Sequence, residues 1–306
     1  MTLSSKLKRR FGFARRDTIN GARRRSDEGQ ARPDGGGGSL VSARRIELSG
    51  QWGQVFGPLD LDIDRGGLSL IAAPPGAART AFLMALCGRM KLKSGRLTVL
   101  GHADEPHAVF RESAIACFDE LDGPQPSVTV QDLITEQIRW ESNFFKWVPL
   151  AKTEDLKEMC GYLFEGLPLP PIDAFITDLS ELEQRLIRIG VANTRRPPLL
   201  VVGELDRMAD ADQQDELLER LIALGEHQSV LAAHVNAEDY GDRVREVVEV
   251  PGLLEFAQRQ ATARKIADVK SLAGSADRAD APDEGGAEAD AEATGPSREP
   301  GGKGET

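Results

Sequence analysis

The stretch Leu68 to Met90, LSLIAAPPGAARTAFLMALCGRM, constrains the fold more than any other part of the chain. LSLIAA is short, apolar and unbroken, as a strand buried on both faces requires, and TAFLMALCGRM places apolar residues at helical spacing with no proline. Between them runs Pro74-Pro75-Gly76-Ala77-Ala78-Arg79-Thr80, so the segment reads strand, tight turn, helix. The template GxxxxGK[ST] puts Ala73 and Ala78 at the two glycines, Arg79 at the lysine and Thr80 at the hydroxyl. Such a loop works because successive backbone N–H groups converge at a helix start, where the macrodipole also favours negative charge. The residues expected to cradle phosphate are therefore Pro75, Gly76, Ala77, Ala78, Arg79, Thr80 and Ala81, with Thr80 also facing a metal ion. Alanine at a left-handed position costs roughly 1–2 kcal/mol, which predicts a distorted cradle. Arginine keeps the charge but not lysine's compactness.

The rest of the 306 residues supports one α/β domain with two tails. The net charge of −11 averages a basic arm, Lys6 to Arg32, with an acidic stretch from about Ala273 onward that is rich in Ala, Gly and Pro. Neither tail has enough apolar residues to offset the entropy of ordering, so both are expected to be disordered. Gly35 to Gly38 forms a linker, which sets the divisions at 1–39, 40–254 for the domain, 255–272 as a C-terminal helix and 273–306 as tail. Cys87, Cys117 and Cys160 lack metal-ligand or paired spacing and read as buried thiols in a reducing compartment. No apolar run approaches the ~20 residues of a spanning helix. The basic start has no secretory pattern, and the expectation is a cytosolic protein, free or held to the inner membrane face by a partner.

After the loop helix, RLTVLG and SAIACF read as strands, and DELDGPQP as a turn. From Val128 to about Ser180 the pattern becomes helical and interrupts the βα alternation. Trp140, Phe144, Phe145 and Trp147 gather there, either as local core or as a docking face. LSELEQRLIRIGVANTR is an amphipathic helix, PPLLVVGEL a buried strand, Asp212 to Gly225 a helix, and SVLAAH and VREVVEV the last strands. This alternation predicts a largely parallel sheet with ligands at the strands' carboxyl ends. Glu204 closes an apolar strand where a general base would stand in a phosphate-loop NTPase, but Gly203 occupies the place of the metal-associated Asp. His234 closes another strand.

The order of these pieces resembles the nucleotide-binding subunit of an ABC (ATP-binding cassette) transporter over about Leu40 to Leu254. Leu179-Ser180-Glu181-Leu182-Glu183-Gln184-Arg185 resembles the signature LSGGQQR, LDRMAD the D-loop, and SVLAAH the switch-histidine strand. The resemblance implies a P-loop NTPase fold with an inserted helical subdomain at about 128–180, and ATP with Mg²⁺ as ligands. It assigns Trp52 to adenine stacking, Ser180 and Asp210 to contacts with nucleotide across a dimer, Glu120 to Mg²⁺, and Glu204 and His234 to catalysis. It further implies a homodimer or heterodimer with another ABC subunit and a membrane permease docked on the helical insertion.

The departures count equally. Glu120 replaces a glutamine, and a carboxylate cannot donate a hydrogen bond as an amide does. Glu181 and Leu182 replace the signature glycines, and Glu183 its first glutamine, so two carboxylates oppose a phosphate there. The leading expectation is ATP binding with weak or absent hydrolysis. A fully active ATPase and a non-catalytic regulator remain as alternatives; in the latter the arm would touch anionic lipid, with no specific nucleic acid predicted. A guanidinium of Arg79 filling the phosphate hollow would leave kinship alone.

Overall fold

A computed structural model describes residues 38–50, 53–142, 147–250 and 253, all within one compact unit. Trp52, Phe144, Phe145, the basic arm and the acidic tail lie outside the described residues.

Five strands form the central parallel sheet in the order β6-β7-β8-β3-β9. They are β3 (Leu68–Ala72), β6 (Ser113–Ala116), β7 (Leu199–Glu204), β8 (Ser229–His234) and β9 (Glu246–Glu249). Alternate residues of the inner strands enter two different cores, which explains why these stretches are apolar throughout. Ile71, Val201, Leu231 and Ala233 face one core; Leu70, Val202, Val230 and Ala232 face the other.

The first core is closed by a second, antiparallel sheet, order β2-β1-β4-β5, made of β1 (Ser39–Gly50), β2 (Gly53–Asp64), β4 (Ser94–Val99) and β5 (His102–Ala103). In β2 the alternation is direct: Leu59, Leu61 and Ile63 are buried while Asp60, Asp62 and Asp64 are exposed. Helix α1 (Ala77–Leu86) belongs to the same core, with Phe82 against Phe56 edge to face at 5.8 Å. Fully burying such side chains stabilises by about 1.5–3 kcal/mol each. The sequence reading anticipated the parallel sheet but did not separate this antiparallel layer from it. A short helix α2 (Pro106–Arg111), which it did not anticipate, leads into β6.

DELD, read as turn, forms one helical turn, α3 (Asp119–Asp122). The second core is covered by α4 (Val130–Glu141), α5 (Thr153–Cys160), α6 (Glu181–Ala192) and α7 (Ala211–Gly225). Hydroxyl capping boxes start two of these helices: Thr129 with Asp132 on α4, and Ser180 with Glu183 on α6. Trp140 is half-buried, whereas Trp147 is 82% exposed and Leu150 58% exposed beside it in the α4–α5 segment. Among the described residues, no helix is long and apolar enough to cross a membrane.

Candidate functional site

The motif residues collect at the carboxyl edge of the parallel sheet. Ala72 at the end of β3 is in register with His234 at the end of β8, and Ala233 with Glu204 at the end of β7. A shallow cavity of about 190 Å³ lies elsewhere, at the amino end of β3 around Gly67, Leu68 and Gly225.

The loop from Ala73 to Thr80 turns directly into α1. Its one unusual backbone angle falls on a glycine: Gly76, the N-cap, has φ 141° and ψ 178°, a region that a Cβ makes costly. Neither Ala73 nor Ala78 takes a positive φ, so the strain expected of alanines at glycine positions does not arise. Pro75, Gly76 and Ala77 are exposed, no side chain caps α1, and no acid lies in its first turn. Ala78 and Ala81 are buried and Thr80 half-buried.

Arg79 points inward. Its side chain is fully buried, and Nη1 reaches back across the loop to donate to the Ala73 carbonyl at 3.0 Å. The same guanidinium meets Asp206 in two places, Nη1 to Oδ2 at 3.2 Å and Nη2 to Oδ1 at 3.0 Å. Asp206 sits on a 3₁₀ turn, Leu205–Arg207, directly after β7, and its side chain is only 9% exposed. Sequence reasoning missed this partner; the signal was an acid following Glu204 in a stretch that otherwise matched a known pattern.

At Gly203 the backbone that follows β6, at Cys117 and Phe118, comes too close for any side chain. A Cβ there would stand 2.1 Å from the Cys117 carbonyl oxygen, and the β7–β8 register shifts at this residue. The glycine that replaces the metal-associated Asp is thus required by packing. Among the described residues, no group of three or more His, Cys, Asp or Glu is placed to hold a metal ion. With its cation engaged and its metal carboxylate sterically barred, the loop does not fit a magnesium triphosphate as it stands.

Glu120 is exposed on α3. Its neighbours on that turn are held by arginines: Asp119 by Arg188 at 2.9 Å and Arg207 at 3.2 Å, and Asp122 by Arg188 at 2.6 Å. Burial opposes ionisation of Asp119, but Arg188 and Arg207 outweigh it and hold the carboxyl below its ordinary range. Burial likewise opposes the charge on Arg188, but the carboxylates of Asp122 and Asp119 support it. Burial pushes the Cys117 thiol up to about 11, leaving it neutral and unreactive near neutral pH. Arg185 and Arg188, buried one helical turn apart on α6, were the unread sequence signal for this network.

The start of α6 is closed by its own chain. Ser180 Oγ accepts from Glu183 N at 3.3 Å, while Glu183 Oε2 accepts from Ser180 N at 2.9 Å. Leu182 N donates to Gln213 Oε1 at 3.0 Å, and Glu181 Oε2 accepts from Ala209 N at 2.9 Å. Asp210 caps α7, accepting from Asp212 N at 2.9 Å and Gln213 N at 3.1 Å, bonds that hold its carboxyl below the ordinary range. Gln213 joins the two, donating to Asp210 Oδ2 at 3.1 Å. His234 is 5% exposed; its Nδ1 accepts from Asn236 N at 2.9 Å, and its Nε2 meets the side-chain Nε2 of Gln214. Its ring also packs edge to face on Tyr240 at 5.2 Å.

No protein-family model matches the chain, and no curated protein is significantly similar to it. Solved structures are. MJ1267, an ATP-binding cassette of an ABC transporter, aligns with TM-score 0.57 at 15% identity over 71% of this chain and 89% of its own. cbiO1 from Clostridium perfringens, part of the ABC transporter complex cbiONQ, gives 0.55 at 14% identity over 69% and 84%. Dimeric MJ0796, a bacterial ABC transporter cassette, gives 0.54 at 15% identity over 69% and 94%. The chain therefore has the fold of an ABC transporter ATP-binding cassette.

Proposed function

We propose that the chain is a cassette subunit of an ABC transporter-like membrane complex in which ATP binds weakly at Ala73–Thr80 and hydrolysis is weak or absent. The observation that carries this reading is the buried Arg79–Asp206 pair, because the cation a nucleotide would need is already neutralised. Gly203 supports it from the metal side, since a carboxylate cannot be placed there without moving β6. The self-capped start of α6 supports it from the partner side: its first-turn amides are engaged within the chain. Two copies of this chain would then form a poor composite site, and pairing with an intact cassette is favoured. A membrane permease would dock on the α4–α5 segment, where exposed Trp147 and Leu150 offer apolar anchors. The basic arm would add contact with anionic lipid, which membrane co-sedimentation with and without residues 1–39 tests.

Calorimetric titration of ATP and ADP, each with Mg²⁺ and with EDTA, tests the central reading. Weak affinity that Mg²⁺ does not improve is expected, with turnover at background and unchanged by Glu204→Gln. Tight Mg²⁺-dependent binding, or a robust rate that Glu204→Gln abolishes, rejects it in favour of an active ATPase.

A further inference from the structure

We infer that the basic arm ahead of the domain docks on its own chain, on the face around the start of α4 that carries Trp147, Leu150 and Phe175, and covers it until a membrane partner displaces it. The inference is independent of the nucleotide reading. Three exposed apolar side chains mark the face: Trp147 at 82%, Leu150 at 58% and Phe175 at 45%. Hydrogen bonds bring their segments to the first turn of α4. Gln131 donates from its side chain to the Ala151 carbonyl at 2.8 Å and from its backbone to the Ile172 carbonyl at 2.8 Å. Thr129, the N-cap of α4, bridges to Phe175. Leu150 and Phe175 therefore flank one helix start, with Trp147 just ahead of Leu150 in the chain. Large apolar side chains left exposed together and rimmed by charge are the mark of an interaction face.

Charge selects the occupant. The segments that build the face, 128–135, 147–155 and 172–178, carry Asp132, Glu154, Asp155, Asp173 and Asp178 against the single cation Lys152. A matching partner pairs aromatic anchors with positive charge. Lys6 to Arg16, KLKRRFGFARR, outside the described residues, has that composition: it contains no acid and sets Phe11 and Phe13 between basic runs. Reach is no obstacle. The arm joins the domain at Ser39, which pairs with Asp64. From there back to Arg16 the chain can span about 75 Å when extended. A domain of this length is about 45 Å across. Carried on the same chain, the arm meets the face at about millimolar effective concentration, well above that of the arms of other copies in dilute protein.

The test uses a fluorescein-labelled peptide of residues 6–16 and full-length proteins: wild type, Phe11→Ser/Phe13→Ser, and that double variant with Trp147→Ser or Leu150→Ser added. In wild type the chain's own arm competes, so the peptide should bind weakly by fluorescence anisotropy. Phe11→Ser/Phe13→Ser removes the competitor's anchors and should bind the peptide roughly tenfold or more tightly. Adding Trp147→Ser or Leu150→Ser should abolish that gain, and both positions are exposed, so the core is left intact. Added salt should weaken the gain. Equal binding to wild type and Phe11→Ser/Phe13→Ser overturns the inference, because the chain's own arm would then not occupy the face. Binding that survives both Trp147→Ser and Leu150→Ser also overturns it, since the peptide would then sit elsewhere. Capture of the peptide by phosphatidylserine vesicles, with no binding to any of the proteins, overturns it and gives the arm to lipid. A wild-type dimer that Phe11→Ser/Phe13→Ser disperses in sedimentation overturns docking on the same chain and gives the face to the arm of a second copy.

Discussion

Two helix starts, α1 after the Ala73–Thr80 loop and α6 at Ser180, carry the same backbone potential and use it in opposite ways. At α1 the amides are left without a side-chain cap or an acid in the first turn, and the cation that would assist them is withdrawn into a buried pair. At α6 the amides are consumed by Ser180 and Gln213, and two glutamates occupy the first turn. An N-terminus attracts anions only where its N–H groups and its surrounding charge are both available. The α1 loop has the first and has lost the second, while the α6 start has lost both.

Four measurements would break or sharpen that contrast. The largest effect is expected for Asp206→Ala, which breaks the buried ion pair with Arg79: about 3–5 kcal/mol of stability lost in urea unfolding. A loss near zero would mean that solvent reaches the guanidinium and that the pair does not close the loop. Gly203→Ala should cost about 1–3 kcal/mol through overpacking against Cys117, measured in the same way. A neutral result would show that β6 can move aside and that a carboxylate could return. Ser180→Ala should cost about 1 kcal/mol, the usual worth of a hydroxyl cap, without altering nucleotide affinity. Any change in affinity would mean that the α6 start already takes part in binding.

The smallest expected effect is on acid stability. Asp119 has a depressed folded-state pKa, so its contribution is present above the ordinary carboxylate range of about 4 and is lost as pH falls through the folded value. Asp119→Asn should flatten that acid slope in melting temperature against pH and leave neutral ATP titrations unchanged. An unaltered slope would place the acid sensitivity elsewhere.

How far the sequence could be read depended on the range of the interaction. The buried strand LSLIAA and the alternating β2 are written in neighbouring residues, and each appears where its pattern puts it; the capping box at Ser180 is equally local but went unread. The order of the strand-end residues was legible for the same reason, since Glu204 and His234 each terminate an apolar run. What could not be read was partnership. Arg79 and Asp206 are 127 positions apart, and Arg188 and Asp122 are 66 apart, so nothing local announces that either pair exists.

The sequence alone determined the parallel-sheet core, the helix caps and the substitutions at the motif positions, because hydrophobic period, hydroxyl spacing and residue identity act over a few residues. Only the tertiary structure decided what those substitutions do. Bringing the end of β7 beside the loop gave Arg79 a carboxylate to hold, and bringing β6 against Gly203 barred another from returning. Both outcomes depend on distances between strands, which chain order does not encode.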